Sequence, residues 1–120
     1  MQDRPWTEKE VLLIQGRWFY LTRHALDRAA EMGIPHKLIR HIIEGGTSHR
    51  APNESKYRGS RVVVNGKVGA AVRPREDGGE VIATFLWTTV DAWREAAQTG
   101  GRHYRGDKWT ASMLDKWFGQ

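Results

Sequence analysis

No cysteine occurs among the 120 residues. Disulfides, a thiolate nucleophile and cysteine-ligated zinc are excluded, and the composition suits a reducing compartment. No apolar run approaches the roughly 20 residues that a membrane helix needs. The longest, Val11-Leu12-Leu13-Ile14, is the length of a core segment. The opening Met1-Gln2-Asp3-Arg4-Pro5 lacks signal-peptide character, so a cytoplasmic protein with no membrane partner is expected. There is no Gly-x-Ser-x-Gly, no internal repeat and no low-complexity stretch. Gly45-Gly46-Thr47-Ser48 lacks the P-loop lysine pattern and follows an expected helix instead of a strand. His36 and His41 are five apart, not the four that puts two ligands on one helix face. No metal and no cofactor are expected. Acidic residues are also short: 14 against 19 Lys and Arg, a formal charge of +5. With a pI near 9.9, that balance favours a polyanionic partner.

What the chain has in excess is tryptophan, six residues at positions 6, 18, 87, 93, 109 and 117. Each brings a large apolar area and one N–H to satisfy, and an exposed ring can stack on a base. The stretch Leu21–Ile34 has the marks of a short amphipathic helix. Thr22 can N-cap it and Gly33 can end it in a left-handed conformation. Leu26, Ala29, Ala30 and Met32 form an apolar stripe, and His24 and Arg28, four apart, are expected together on the other face. In the first turn the helix dipole disfavours the His24 imidazolium, leaving a neutral ring able to take a proton, while Asp27 and Glu31 act in the opposite direction.

Thr7 and Glu10 fit a capping box, so a helix is expected from Glu8 to about Gln15, stopped at Gly16, with a strand as the competitor over Val11–Ile14. Arg17–Leu21 reads as an edge strand or as the lead-in to the key helix. A second helix follows Pro35, with Leu38, Ile39, Ile42 and Ile43 on its apolar face. Residues 45–55 read as a polar loop. Tyr57–Val64, Lys67–Arg73 and Glu80–Thr88 read as strands, the first two joined by an Asn65-Gly66 type I′ turn. Helices are expected at Val90–Gln98 and about Thr110–Phe118, with a basic aromatic loop between them. The expected fold class is α+β: N-terminal helices, then a three- to four-stranded antiparallel meander, then additional C-terminal helices, in one domain over 1–120.

His24-Ala25-x-x-Arg28, Gly33-Ile34-Pro35, Tyr57-x-x-x-Arg61-Val62-Val63-Val64 and the strand bearing Thr84 together resemble the DUF4258 family. That family is similar to RelE-like and colicin-type ribonucleases. The resemblance covers residues 20–88, with 1–19 and 89–120 as flanking extensions. It implies metal-independent RNA cleavage, in which the substrate's 2′-hydroxyl attacks phosphorus and the protein supplies a base, an acid and cations. On that reading His24 is the base or acid, Arg28 orients the phosphate, Arg61 meets the phosphorane charge and Thr84 bonds a phosphate oxygen. Tyr57, Arg58, Arg73, Arg102, Arg105 and Lys108 would bind RNA. The protein would be a toxin of a toxin–antitoxin pair or a host-directed phage protein, with an antitoxin or host protein as further partner. Two other functions fit the same residues: a non-catalytic nucleic-acid-binding protein, and a protein-binding inhibitor or adaptor that uses its Trp-rich termini.

Overall fold

The computed structural model describes residues 8–51, 59–98, 111–114 and 116. The described chain opens on a hairpin, not a helix. β1 (Glu8–Ile14) and β2 (Arg17–Thr22) pair antiparallel, with Ile14 opposite Arg17. Gln15 and Gly16 between them have φ of 52° and 79°. Positive φ at both central residues marks a type I′ turn, whose twist matches the strands it joins. The expectation of a helix over Glu8–Gln15 is thus corrected. Val11–Ile14 is an unbroken apolar run with no helical stripe. As a strand it alternates: Leu12 and Ile14 pack into the core, while Val11 and Leu13 lie exposed on the other face.

Two helices follow, α1 (Arg23–Glu31) and α2 (His36–Gly45). Thr22 caps α1, its hydroxyl accepting from the Ala25 N–H at 3.0 Å. Gly33 has a φ of 74° just beyond the helix end, where a Cβ would be strained. Next come β3 (Thr47–Arg50), β4 (Arg61–Asn65), β5 (Val68–Pro74), β6 (Glu80–Trp87) and α3 (Val90–Gln98). Residues 111–114 are helical too. β3 lies inside the expected polar loop. It is a four-residue edge strand, Thr-Ser-His-Arg, with no apolar alternation to reveal it. The β4–β5 turn is also shifted by one residue. Asn65 pairs with Val68, so Gly66 and Lys67 are the central pair, and only Gly66 has positive φ, at 61°. That is a type II′ turn. The Asn65 amide instead donates to the His41 carbonyl at 3.0 Å, tying the turn to α2.

Among the described residues the strands form one six-stranded sheet in the order β1-β2-β6-β5-β4-β3. Every neighbouring pair is antiparallel except β2 and β6, which run parallel with Phe19, Tyr20 and Leu21 opposite Glu80, Val81 and Ile82. The expected order of N-terminal helices and then an antiparallel meander is therefore overturned. The sheet is mixed, it begins before α1, and α1 and α2 are an excursion between its halves.

Both helices lie on one face. α1 packs on β6 and β2, and α2 on β4, β5 and β1. Beneath them Phe19, Leu21, Ile39, Ile42, Val63, Val72, Ile82 and Phe85 make the main core. Burying each large side chain fully stabilises the fold by about 1.5–3 kcal/mol. A smaller cluster of Ala51, Val62, Leu86 and Leu114 occupies the opposite face, as alternation along β4 and β6 requires. No described helix is long and apolar enough to cross a membrane.

The passage from α2 into β3 depends on Gly46. A Cβ there would collide with the Val63 side chain and lie 2.6 Å from the Ile42 carbonyl oxygen and 3.2 Å from that of Val64. Two of these three neighbours are backbone and cannot swing away. Gly46→Ala is expected to lower stability by about 2 kcal/mol in urea unfolding. An unchanged midpoint would show that the β3 edge yields without cost.

Candidate functional site

The structure does not bring His24, Arg28, Arg61 and Thr84 together. His24 is exposed in the first turn of α1, and its ring makes no hydrogen bond to a described residue. Arg28 is not on the solvated face; it is only 6% exposed. Its Nε donates to the Phe85 carbonyl at 3.4 Å and its guanidinium to Glu31 at 3.3 Å. The reason lies in β6. β2 pairs only with residues 80–82 and then turns into α1, leaving the next β6 carbonyls on that side without a strand. The Thr22 hydroxyl donates to Ala83 O at 3.1 Å and Arg28 to Phe85 O, so two side chains replace the missing neighbour. Thr84 shares its sheet face with Leu86 of the small cluster, opposite Phe85 and α1; it is buried and its hydroxyl bonds within its own strand. Arg61 lies in one cross-sheet row with Val72, Ile82 and Leu21. Three strand spacings, about 14 Å, separate it from Leu21, and α1 runs off towards the far end of β6.

Arg61 belongs to a different constellation. At the start of β6, Glu80 is set between β2 and β5 by its register with Phe19 and Pro74. Its side chain is 7% exposed. Arg61 grips it with a planar fork, Nε at 3.0 Å and a terminal nitrogen at 2.7 Å. Arg17 donates to its other oxygen at 2.5 Å. The remaining Arg61 nitrogen donates to Ser48 Oγ at 2.9 Å. Burial pushes the Glu80 carboxyl up, but the hydrogen bonds and charges of Arg17 and Arg61 outweigh it and hold the group below the ordinary carboxylate value. One carboxylate thus orients two guanidiniums, and these side chains project from the same sheet face as the helices, beyond their edge.

Beside the clasp, Arg50 of β3 stands directly opposite Arg61 of β4. Like charges in register across two strands repel. The two line an open depression of about 330 Å³ with Ser48, Ser60, Val72 and Pro74. Three arginines against one glutamate leave a local charge of +2, and the Arg50 side chain makes no ion pair with a described residue. The site can bind an anion: a hydroxyl and a fixed guanidinium on one wall, a second cation on the other.

Arg73 is exposed on β5, on the sheet face opposite the clasp. Tyr57, Arg58, Arg102, Arg105 and Lys108 lie outside the described residues. Arg17, Ser48, Arg50 and Glu80 are new to the site. Glu80 had a signal in the sequence: it is the lone acid heading an otherwise apolar strand, Glu-Val-Ile-Ala-Thr-Phe-Leu-Trp. Among the described residues no group of three or more His, Asp or Glu could hold a metal ion.

Because the folded carboxyl value of Glu80 is lowered, the clasp contributes stability above the unfolded value of about 4.3 and loses it as pH falls through the folded one. Glu80→Gln is expected to lower stability at pH 7 by about 1–2 kcal/mol. The gap to the parent protein should shrink below about pH 4. Urea midpoints measured from pH 7 to 3 check this, and a constant gap would mean that the charge contributes nothing. No family model, no curated protein and no solved structure matches the chain.

Proposed function

We propose that this protein binds nucleic acid, with RNA as the expected polymer, and that it takes the phosphate backbone in the depression lined by Ser48, Arg50 and Arg61. The observation that carries this reading is the cross-strand Arg50–Arg61 pair, directly opposite in register beside a carboxylate already committed to Arg17 and Arg61. A phosphate between the pair replaces repulsion by charge-assisted hydrogen bonds, and the fork of Arg61 is already immobilised, so little ordering entropy is lost on binding. The net charge of +5 supplies longer-range attraction. A cytoplasmic location, where RNA is met, goes with this reading.

Binding is favoured over cleavage because the groups that a 2′-hydroxyl mechanism would use are dispersed. His24 is exposed in the first turn of α1, Arg28 is committed to β6, and Thr84 faces the other side of the sheet. A base and a phosphorane-binding cation must flank one phosphodiester to act together.

The test is fluorescence anisotropy with a mixed-sequence RNA between 50 and 200 mM salt. The parent protein is expected to bind with a steep salt dependence. Arg50→Ala, an exposed change at the sheet edge, should weaken binding several-fold and reduce the log–log salt slope by roughly 1. Arg61→Ala should do at least as much. Affinity and slope unaltered by both changes would reject the site. Gel analysis of the same RNA in chelator should show it intact; cleavage abolished by His24→Ala would restore the ribonuclease reading.

A further inference from the structure

A second pocket, of about 200 Å³, opens between the Gln15-Gly16 turn and the β5–β6 turn, and its walls differ in kind from the phosphate site. Trp18 and Tyr20 form one side. They are two apart on β2 and so project from the same face of the sheet, opposite to Arg17. Tyr20 is locked. The Arg75 guanidinium covers its ring at 3.8 Å from the centroid, and its hydroxyl donates to Asp77 at 3.3 Å. Asp77 in turn accepts from the Gly79 N–H at 3.0 Å and from Arg75 at 3.2 Å. The Gly79 bond first of all, with Arg75 and Tyr20, holds the Asp77 carboxyl below its ordinary value. No described residue covers Trp18 in this way, and it is 50% exposed.

We propose that the ligand enters as a single strand and that this pocket receives one unpaired base, stacked on Trp18. The inference rests on the nucleic-acid reading above and adds to it the part of the polymer that is recognised. Three observations carry it. The charges around the pocket are paired, Asp77 with Arg75 and Arg17 with Glu80, which gives a second backbone phosphate no surplus cation. A half-exposed indole beside an immobilised phenol offers a stacking platform that needs little further ordering. Two apart on one strand, Trp18 and Tyr20 stand side by side on one face, about 6.8 Å apart along it, and both line the pocket. Glycine keeps the entrance open: a Cβ at Gly79 would lie 2.9 Å from the Tyr20 ring and 3.1 Å from the Trp18 carbonyl oxygen.

The two pockets are joined through Glu80. Arg17 borders the base pocket, Arg61 lines the phosphate pocket, and both hold the same carboxylate, at 2.5 and 2.7 Å. A strand passing around this end of the sheet meets a stacking surface and a phosphate site in succession. A duplex does not, because its bases are stacked on both sides and present no free ring face.

The experiment compares three ligands: a labelled single-stranded RNA of about 12 nucleotides, the same strand annealed to its complement, and inorganic polyphosphate as a base-free polyanion. The parent protein should bind the single strand at least fivefold more tightly than the duplex. Trp18→Ala should weaken single-strand binding roughly tenfold and leave polyphosphate binding unchanged, while Trp18→Phe, which keeps a ring, should stay within about threefold of the parent. Single-strand affinity unmoved by Trp18→Ala, equal binding of duplex and single strand, or an equal loss for polyphosphate would each overturn the base pocket. If Arg50→Ala still weakens polyphosphate binding in that case, the phosphate site stands without it; if neither variant changes any affinity, both readings fall together.

Discussion

The structure depends on a short parallel junction. β2 and β6 meet over three residue pairs, and that meeting joins the N-terminal hairpin to the antiparallel strands behind it. A parallel pair of this length is weak by itself, and side chains reinforce both ends. At one end Thr22 and Arg28 supply the hydrogen bonds that a longer β2 would have given to Ala83 and Phe85. At the other, Arg17 reaches across to Glu80, which also holds Arg61. Arg28 is buried where the sheet would otherwise leave the Phe85 carbonyl without a partner, and Glu80 is buried where its register sets it, paired with two guanidiniums.

The same clasp that reinforces the junction builds the candidate site. A buried carboxylate is costly unless paired, and pairing it with two guanidiniums leaves more positive charge than negative. Arg61 spends one edge of its fork on Glu80 and another nitrogen on Ser48, which fixes its plane. Lysine could supply the charge at position 61 but not this geometry, having a single ammonium on a flexible stem. The cationic side of the sheet is in this sense a by-product of keeping Glu80 ionised inside the fold.

Several single elements were legible in local signals, but the mixed sheet that joins them was not. The cap at Thr22, the terminator at Gly33, the Ile39, Ile42 and Ile43 face of α2 and the span of α3 all follow from side-chain spacing within one element. Two of the failures have a plain physical reason. Gln15-Gly16 closes a hairpin but also resembles a helix stop, because a glycine with positive φ serves both ends; without knowing its strand partner, the preceding apolar run could be read either way. β3 was invisible because an exposed edge strand of Thr, Ser, His and Arg carries no apolar period. The site was less legible than the fold. Arg61 stood out next to a valine run, but what gives it meaning is Glu80, nineteen residues on, and Arg17, sixty-three residues before that. Spacing within one element says nothing about such partners, and the four residues that the resemblance grouped lie on α1, on β4 and on the opposite face of β6.

The junction also orders the events of folding. The β1–β2 hairpin and the β4–β5–β6 strands close over turns of a few residues, whereas Arg17 to Glu80, Thr22 to Ala83 and Arg28 to Phe85 span 63, 61 and 57 residues. Contacts of such separation carry the largest loop-closure entropy and form after the local ones. The pocket at Trp18 draws one wall from each side of that late step, Arg17 to Tyr20 from the hairpin and Asp77 to Gly79 from the β5–β6 turn. A chain halted with both halves folded but unjoined would keep the Arg50–Arg61 pair and lack the aromatic pocket altogether.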